Sequence, residues 1–318
     1  MSAISSSEVI YSAIILLEEP NADFAQHVMA LYHTLAQRGE NFEILIVANG
    51  LESFLRKQVA QLTADCRYVL RAIALNKKTP QAVGLRVGFK ESRGKTIIVA
   101  GSYQQLTEES LNQLFEAFDA GADIISPWRR NRVDPLINQF QSKLFNLLVQ
   151  KVAGCTLRDL SCTVKIMRRE VLEETELYGN LYRFLPIIAN KKGFVTKEIG
   201  CDHFQEHGKV GYYGLSIYVN RIIDIVTLYF NTRFARKPLR FFSSIGAIFV
   251  IVGIVGFFYV LTEKFLFDIP IGDREVLLLF ILLTVIGIQC ASVGLLGEIV
   301  AFTYGRSRKE YTIEKIIE

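Results

Sequence analysis

Apolar positions follow three patterns along this chain, and each pattern marks a different region. Between Ile10 and Ser126, short near-continuous apolar runs alternate with stretches in which apolar residues recur every third or fourth position. Ile10–Leu17, Phe42–Val47, Tyr68–Leu75, Thr96–Val99 and Asp123–Ser126 read as strands. Asp23–Gln37 places Phe24, Val28, Leu31 and Leu35 at helical spacing and stops at Gly39, and Phe54–Leu62 also reads as helix. A helix opens at Pro80 and ends near Gly94. Thr107 caps another, with Glu108 and Glu109 in its electropositive first turn. Strands apolar on both faces that alternate with helices predict a mostly parallel sheet covered on both sides, a Rossmann-like α/β domain. Ligands of such sheets sit at the carboxyl ends of the strands, here after Leu17, Val47, Val99 and Ser126.

The second pattern is mixed. A long helix is expected over Leu136–Val152, a strand reached through Asp159–Met167, a helix at Arg183–Lys191 and a strand at Phe194–Cys201. Gly214–Phe234 intersperses Arg221, Asp224 and Arg233 among apolar residues and reads as an amphipathic helix lying at a membrane interface, or as a packed helix of the domain. The third pattern is two charge-free runs, about Phe241–Leu261 and Val276–Gly297. At 1.5 Å per residue, each is long enough to cross roughly 30 Å of hydrocarbon. The expected organisation is therefore an α/β domain over 1–210, a juxtamembrane amphipathic segment over 211–238, a transmembrane hairpin over 239–304 and a tail over 305–318.

Charge orients the hairpin. Arg233, Arg236, Lys237 and Arg240 precede it and Arg306, Arg308 and Lys309 follow it, whereas the connecting loop has only Lys264 and Arg274. Lys and Arg are retained on the cytoplasmic side, so both termini and the domain are expected there. Met1–Val9 is polar and lacks the apolar core of a signal peptide. The formal charge of the 318 residues is +4, with no basic, aromatic-interleaved stripe of the kind that binds nucleic acid. The five cysteines form no C-x-x-C pair and read as reduced thiols. Gly294 and Gly297 would allow close helix packing and suit a homo-oligomer.

Several short motifs stand in a telling order: Gly94 before a strand, Arg129-Arg130-Asn131-Arg132, Asp159-Leu160-Ser161-Cys162-Thr163-Val164-Lys165, and Arg183-Phe184-Leu185-Pro186. They are followed by His203 through His207-Gly208-Lys209, Tyr213-Gly214-Leu215 and Gly294-Leu295-Leu296-Gly297-Glu298. In this order, and with the hairpin, the chain resembles the family 2 glycosyltransferases of the polyprenyl-phosphate type, the dolichol-phosphate-mannose-synthase-like enzymes. The resemblance implies a GT-A fold, a nucleotide-sugar donor, a polyprenyl-phosphate acceptor and a divalent Mg²⁺ or Mn²⁺. It implies donor-binding positions at Leu17, Glu18, Asn49, Ala100 and Ser102, and a catalytic role for Asp159.

The chain departs from that pattern where the donor binds. Leu16-Leu17-Glu18-Glu19-Pro20 stands for a Pro-x-Tyr-Asn-Glu-like loop, Ala48-Asn49-Gly50-Leu51 for Asp-Asp-Gly-Ser, and Ala100-Gly101-Ser102 for Asp-x-Asp. Hard cations need carboxylate oxygens, which Ala and Ser do not supply. The leaving diphosphate still needs positive charge, and Arg129, Arg130, Arg132 and Lys209 are the candidates, with Arg132 and Lys209 reaching the lipid phosphate. A solvated basic loop is the competing reading of the arginine run, and for Asp159 and Lys165 the competing reading is a structural pair or charges facing water. Two functions stay open: a metal-independent transferase, and a catalytically silent relative acting as a membrane binding or scaffolding subunit. His203-Phe204-Gln205-Glu206-His207 spells the zinc pattern H-x-x-E-H, but it follows a strand and runs into Gly208, so a loop is expected there rather than a metal-binding helix.

Overall fold

The computed structural model describes residues 8–130, 149–150, 157–160, 162–175, 181–202, 223, 227, 238–267 and 275–305. Arg132, Lys209, the H-x-x-E-H stretch, the amphipathic segment after Gly214, the tail and nearly all of the helix expected over Leu136–Val152 lie outside these residues. The chain divides into two compact units, Met1–Ile225 and Val226–Glu318.

In the first unit the strands are β1 (Tyr11–Leu17), β2 (Phe42–Asn49), β3 (Leu70–Leu75), β4 (Thr96–Ala100), β5 (Ile124–Arg130), β6 (Lys165–Arg168) and β7 (Thr196–Asp202). The helices are α1 (Phe24–Gln37), α2 (Glu52–Ala60), α3 (Ala64–Val69), α4 (Gln81–Glu91), α5 (Glu108–Asp119), α6 (Arg169–Glu174) and α7 (Leu185–Lys191). The sheet order is β3-β2-β1-β4-β6-β5-β7, and β6 alone runs antiparallel to its neighbours β4 and β5. That reversal has a positional consequence. The residues entering β6, Cys162 to Lys165, lie at the carboxyl ends of the parallel strands, with Val99 opposite Lys165.

Alternation along the strands separates two cores. Ala13, Ile15, Leu17, Ile44, Ile46, Ile98 and Ala100 pack with α1 and α5. Ile14, Leu16, Val47, Ile97, Val99, Ile124 and Met167 pack with α4, α6 and α7. Both sheet faces are covered, which is why β1 and β2 read as unbroken apolar runs. Gly94, at the opposite end of the sheet from the ligand loops, donates its N–H to Ser12 Oγ at 2.7 Å; a Cβ there would come within 2.6 Å of Ser12 N.

Thr107 caps α5 as expected, accepting from Ser110 N at 3.2 Å. Of the boundaries that differ from expectation, two bear on the site. Tyr68 and Val69 complete α3 instead of opening β3, because Thr63 caps that helix and Asp65 sits in its first turn. β5 continues past Ser126 through Trp128, Arg129 and Arg130, held in register against Gly200, Cys201 and Asp202 of β7. The first arginines of the basic run are therefore strand residues with fixed directions.

The second unit contains α8 (Pro238–Phe267) and α9 (Glu275–Gly305). Their apolar windows have mean hydropathies of 2.5 and 2.6, and only 22% and 6% of those windows are buried. Both are long and apolar enough to cross a membrane. Large outward apolar residues such as Ile248, Leu278 and Phe302 form a surface suited to lipid rather than water. Between the helices the backbones nearly touch: a Cβ on Gly246 would lie 2.5 Å from Gly287 O, and one on Gly287 would lie 2.6 Å from Gly246 O. Gly256 likewise leaves room for the Phe280 ring. Glu298 Oε2 accepts from Leu239 N at 3.3 Å, which puts a carboxylate at the positive end of α8.

Candidate active site at the carboxyl ends of the strands

The loops after β1, β2 and β4 converge, but their polar side chains are turned toward the chain itself. Ser102 Oγ accepts from Glu18 N at 2.9 Å and Glu19 N at 3.4 Å and donates to Leu16 O at 3.1 Å, while Asn21 Nδ2 donates to Ser102 O at 3.0 Å. Asn49 is equally committed. Its Nδ2 donates to Thr79 O at 2.7 Å, and its Oδ1 accepts from Thr79 N at 2.7 Å and Thr79 Oγ1 at 3.1 Å. Leu17 and Ala100 are core residues, so at these two positions a ligand can meet only backbone. Glu19 Oε2 accepts from Tyr103 OH at 3.3 Å.

The Ala100-Gly101-Ser102 turn supplies no carboxylate to a divalent cation, and the carboxylates adjoining it are those of Glu18 and Glu19. Where a metal would need carboxylates there is a buried methyl, a glycine and a hydroxyl already engaged by three backbone groups. Among the described residues no group of three or more His, Cys, Asp or Glu is placed to hold a metal.

The segment entering β6 fills the space beside this turn. A Cβ on Gly101 would lie 2.8 Å from Thr163 Oγ1. Gln105 Oε1 gathers three donors: Thr163 N at 2.8 Å, Thr163 Oγ1 at 2.9 Å and Cys162 Sγ at 3.3 Å. Tyr182 OH donates to Thr163 O. Beneath them Lys165, fully buried, donates to Cys162 O at 2.6 Å and lies 4.7 Å from the Tyr182 ring centroid. Burial pulls the Lys165 ammonium down to about 8, against an opposing pull from Cys162 and Asp159. On the other side of the turn, buried His27 is lowered to about 4 by burial, and its Nε2 has no hydrogen-bond partner. It lines a cavity of about 30 Å³ with Gln104 and Gln105, room for a water molecule.

At the end of β5, Arg129 and Asp159 form a bidentate buried pair, Nε to Oδ2 at 2.7 Å and Nη2 to Oδ1 at 3.2 Å, each side chain 6% exposed. Asp159 thus pairs with Arg129 and not, as the sequence suggested, with Lys165. Arg129 also differs from the expected phosphate grip, because its guanidinium is spent on Asp159. Arg130 points to the opposite strand face and is exposed. Sequence reasoning missed Gln105, Tyr182, His27 and Glu198. None of them stands in a recognisable motif, and only the reversed β6 strand brings Gln105 and Tyr182 to Thr163.

Residues 28–175 match the family model for glycosyl transferase family 2. That stretch is similar to a family 2 glycosyl transferase domain. The chain is similar to the undecaprenyl-phosphate 4-deoxy-4-formamido-L-arabinose transferase of Aeromonas hydrophila, 28% identical over 284 residues, 88% of this chain and 86% of that one. It is also similar to the dodecaprenyl-phosphate galacturonate synthase of Rhizobium johnstonii, 27% identical over 286 residues, 87% of this chain and 84% of that one. In fold, the chain is similar to glucosyl-3-phosphoglycerate synthase from Mycobacterium tuberculosis in complex with Mn²⁺, uridine diphosphate and glucosyl-3-phosphoglycerate. The TM-score is 0.52 at 9% identity, over 70% of this chain and 80% of that chain. The mostly parallel sheet with one reversed strand is thus a GT-A-like arrangement.

Proposed function

We propose that this protein transfers a sugar from a nucleotide-sugar to a polyprenyl phosphate at the cytoplasmic leaflet, without a metal held at the β4 turn. The observation that carries this reading is the similarity to polyprenyl-phosphate sugar transferases, which extends over 88% of the chain. The family 2 similarity over 28–175 and two candidate membrane-spanning helices support it. In this reading the acceptor phosphate oxygen bonds to the anomeric carbon as the bond to the departing nucleoside diphosphate breaks. The acceptor's second ionisation lies near pH ~6, so no strong base is required. Developing charge on the leaving group is met by the cations expected at and after the β5 end, Arg130, Arg132 and Lys209. Asp159 acts by holding Arg129 and the end of β5 in place. The 211–238 segment lies at the interface and both termini face the cytoplasm, while the hairpin glycines, Gly294 and Gly297 included, pack α8 against α9 within the chain and so do not argue for the homo-oligomer expected from the sequence.

The test is turnover by the full chain in membranes, with a panel of labelled nucleotide-sugars and undecaprenyl phosphate, with and without EDTA. Product formation unaffected by EDTA is the expected result. Activity abolished by EDTA and restored by Mg²⁺ or Mn²⁺ would remove the metal-free part of the proposal. A second reading, a silent relative that binds without turnover, is favoured by the self-engagement of Asn49 and Ser102. Absence of product with every donor, together with retained binding of the lipid phosphate, is its signature.

A further inference from the structure

The apolar run of α9 contains a single amide side chain, that of Gln289. It stands 14 residues from Glu275 and 11 from Val300, the ends of the span. At 1.5 Å per residue these are about 21 and 17 Å, so the amide lies near mid-membrane. The hydroxyls of the same run are satisfied within the helix: Thr284 Oγ1 donates to Phe280 O at 2.9 Å and Ser292 Oγ to Ile288 O at 3.0 Å. Gln289 is exposed and makes no hydrogen bond among the described residues. Hydrocarbon offers an amide no partner, and leaving it unpaired there is costly.

The face that carries Gln289 is not the one α8 covers. Gly287 meets Gly246 of α8, and two residues further on Gln289 is turned about 200° around the helix. Leu282, Val285, Gln289, Ser292, Leu296 and Ile299 succeed one another at intervals of three and four, and all are exposed. That is the spacing of a seam along which two helices pack at a shallow angle, and a polar side chain at one seam position fixes register and partner. Chemistry narrows the partner. A carboxylate would satisfy only the amide N–H groups, an ammonium only the carbonyl, and a lipid tail neither, whereas a second glutamine satisfies both. Two copies of one chain inserted in one bilayer share an orientation, so their α9 helices run parallel with Gln289 at equal depth. A two-fold axis along the membrane normal then sets this residue against itself.

We propose that the outer seam of α9 is an interface between two copies of this chain, closed at mid-membrane by a reciprocal pair of Gln289 amides. Each Nε2 donates to the Oε1 of the other copy. The interface requires α9 to cross the membrane and is independent of turnover. Cysteine cross-linking of the full chain in membranes tests it, with Cys290→Ala as the parent. Val285→Cys and Ser292→Cys lie on the seam, and Ile288→Cys and Leu295→Cys lie on another exposed face of the same helix. Each is oxidised with copper phenanthroline, and the species of doubled mass is read on non-reducing gels against the parent. The seam variants should cross-link at least about fivefold more than the other two. Adding Gln289→Leu, which preserves size and favours insertion, should lower the seam yield about threefold or more. Equal yields at all four positions, no cross-link at the seam, or an undiminished yield with Gln289→Leu would overturn the proposal. So would a seam cross-link to a different membrane protein in place of the doubled chain. The transferase reading fails separately. Seam cross-linking in a chain without turnover supports the interface, and turnover by a chain whose seam does not cross-link removes it.

Discussion

Among the described residues, Lys165 is the charged side chain most completely sealed from water. A buried ammonium with a backbone carbonyl and a ring face as neighbours costs stability while it is protonated. Its folded value of about 8 lies below the ordinary 10.5, so the unfolded chain binds more protons between those limits. This group's contribution to stability therefore rises with pH from about 8 to 10.5, by on the order of 3 kcal/mol. Buried Cys66 and Cys201 act oppositely: burial raises their thiols to about 11 and about 12, so their contribution falls as the unfolded thiols ionise. The Lys165 slope is isolated by comparing wild type with Lys165→Met in urea unfolding at several pH values. The variant should gain most at pH 7 to 8 and little by pH 10.5, and parallel pH curves would refute the assignment. Asp159→Ala makes the complementary case. It strands the Arg129 guanidinium inside the domain and should cost about 3–5 kcal/mol in the same measurement.

At the scale of elements, the hairpin is held by backbone approach rather than by interlocking large side chains. Gly246 and Gly287 each occupy the space a Cβ on the other helix would need. Gly287→Val should splay α8 from α9 and destabilise their packing by about 1–3 kcal/mol, read as loss of a disulfide formed between cysteines introduced on the two helices. Most elements were legible because their causes are local. The doubly covered strands announce themselves by unbroken apolar runs, and α5 by Thr107 and its two glutamates. What escaped was set by pairing between distant segments. β5 looked finished at Ser126 because nothing in Trp128-Arg129-Arg130 reads as sheet, yet β7 pairs with it through Arg130. For the same reason Asp159 could be singled out while its partner was misjudged. Arg129 reads from the sequence as a phosphate ligand, and only the direction of β5 turns it onto the carboxylate.

For the whole molecule, the basic flanks of the hairpin predict that reporters fused at either end are active on the cytoplasmic side only. Activity of a C-terminal fusion on the opposite side would reverse the orientation. The wiring of the β1 and β4 loops carries a further consequence for redesign. Because one hydroxyl, that of Ser102, links the start of the Glu18–Glu19 turn to the Leu16 carbonyl, aspartate there could still accept from the Glu18 and Glu19 N–H groups but would set a carboxylate oxygen against the Leu16 carbonyl, which loses its donor. Placing a carboxylate there therefore calls for a second change that gives the Leu16 carbonyl a new donor.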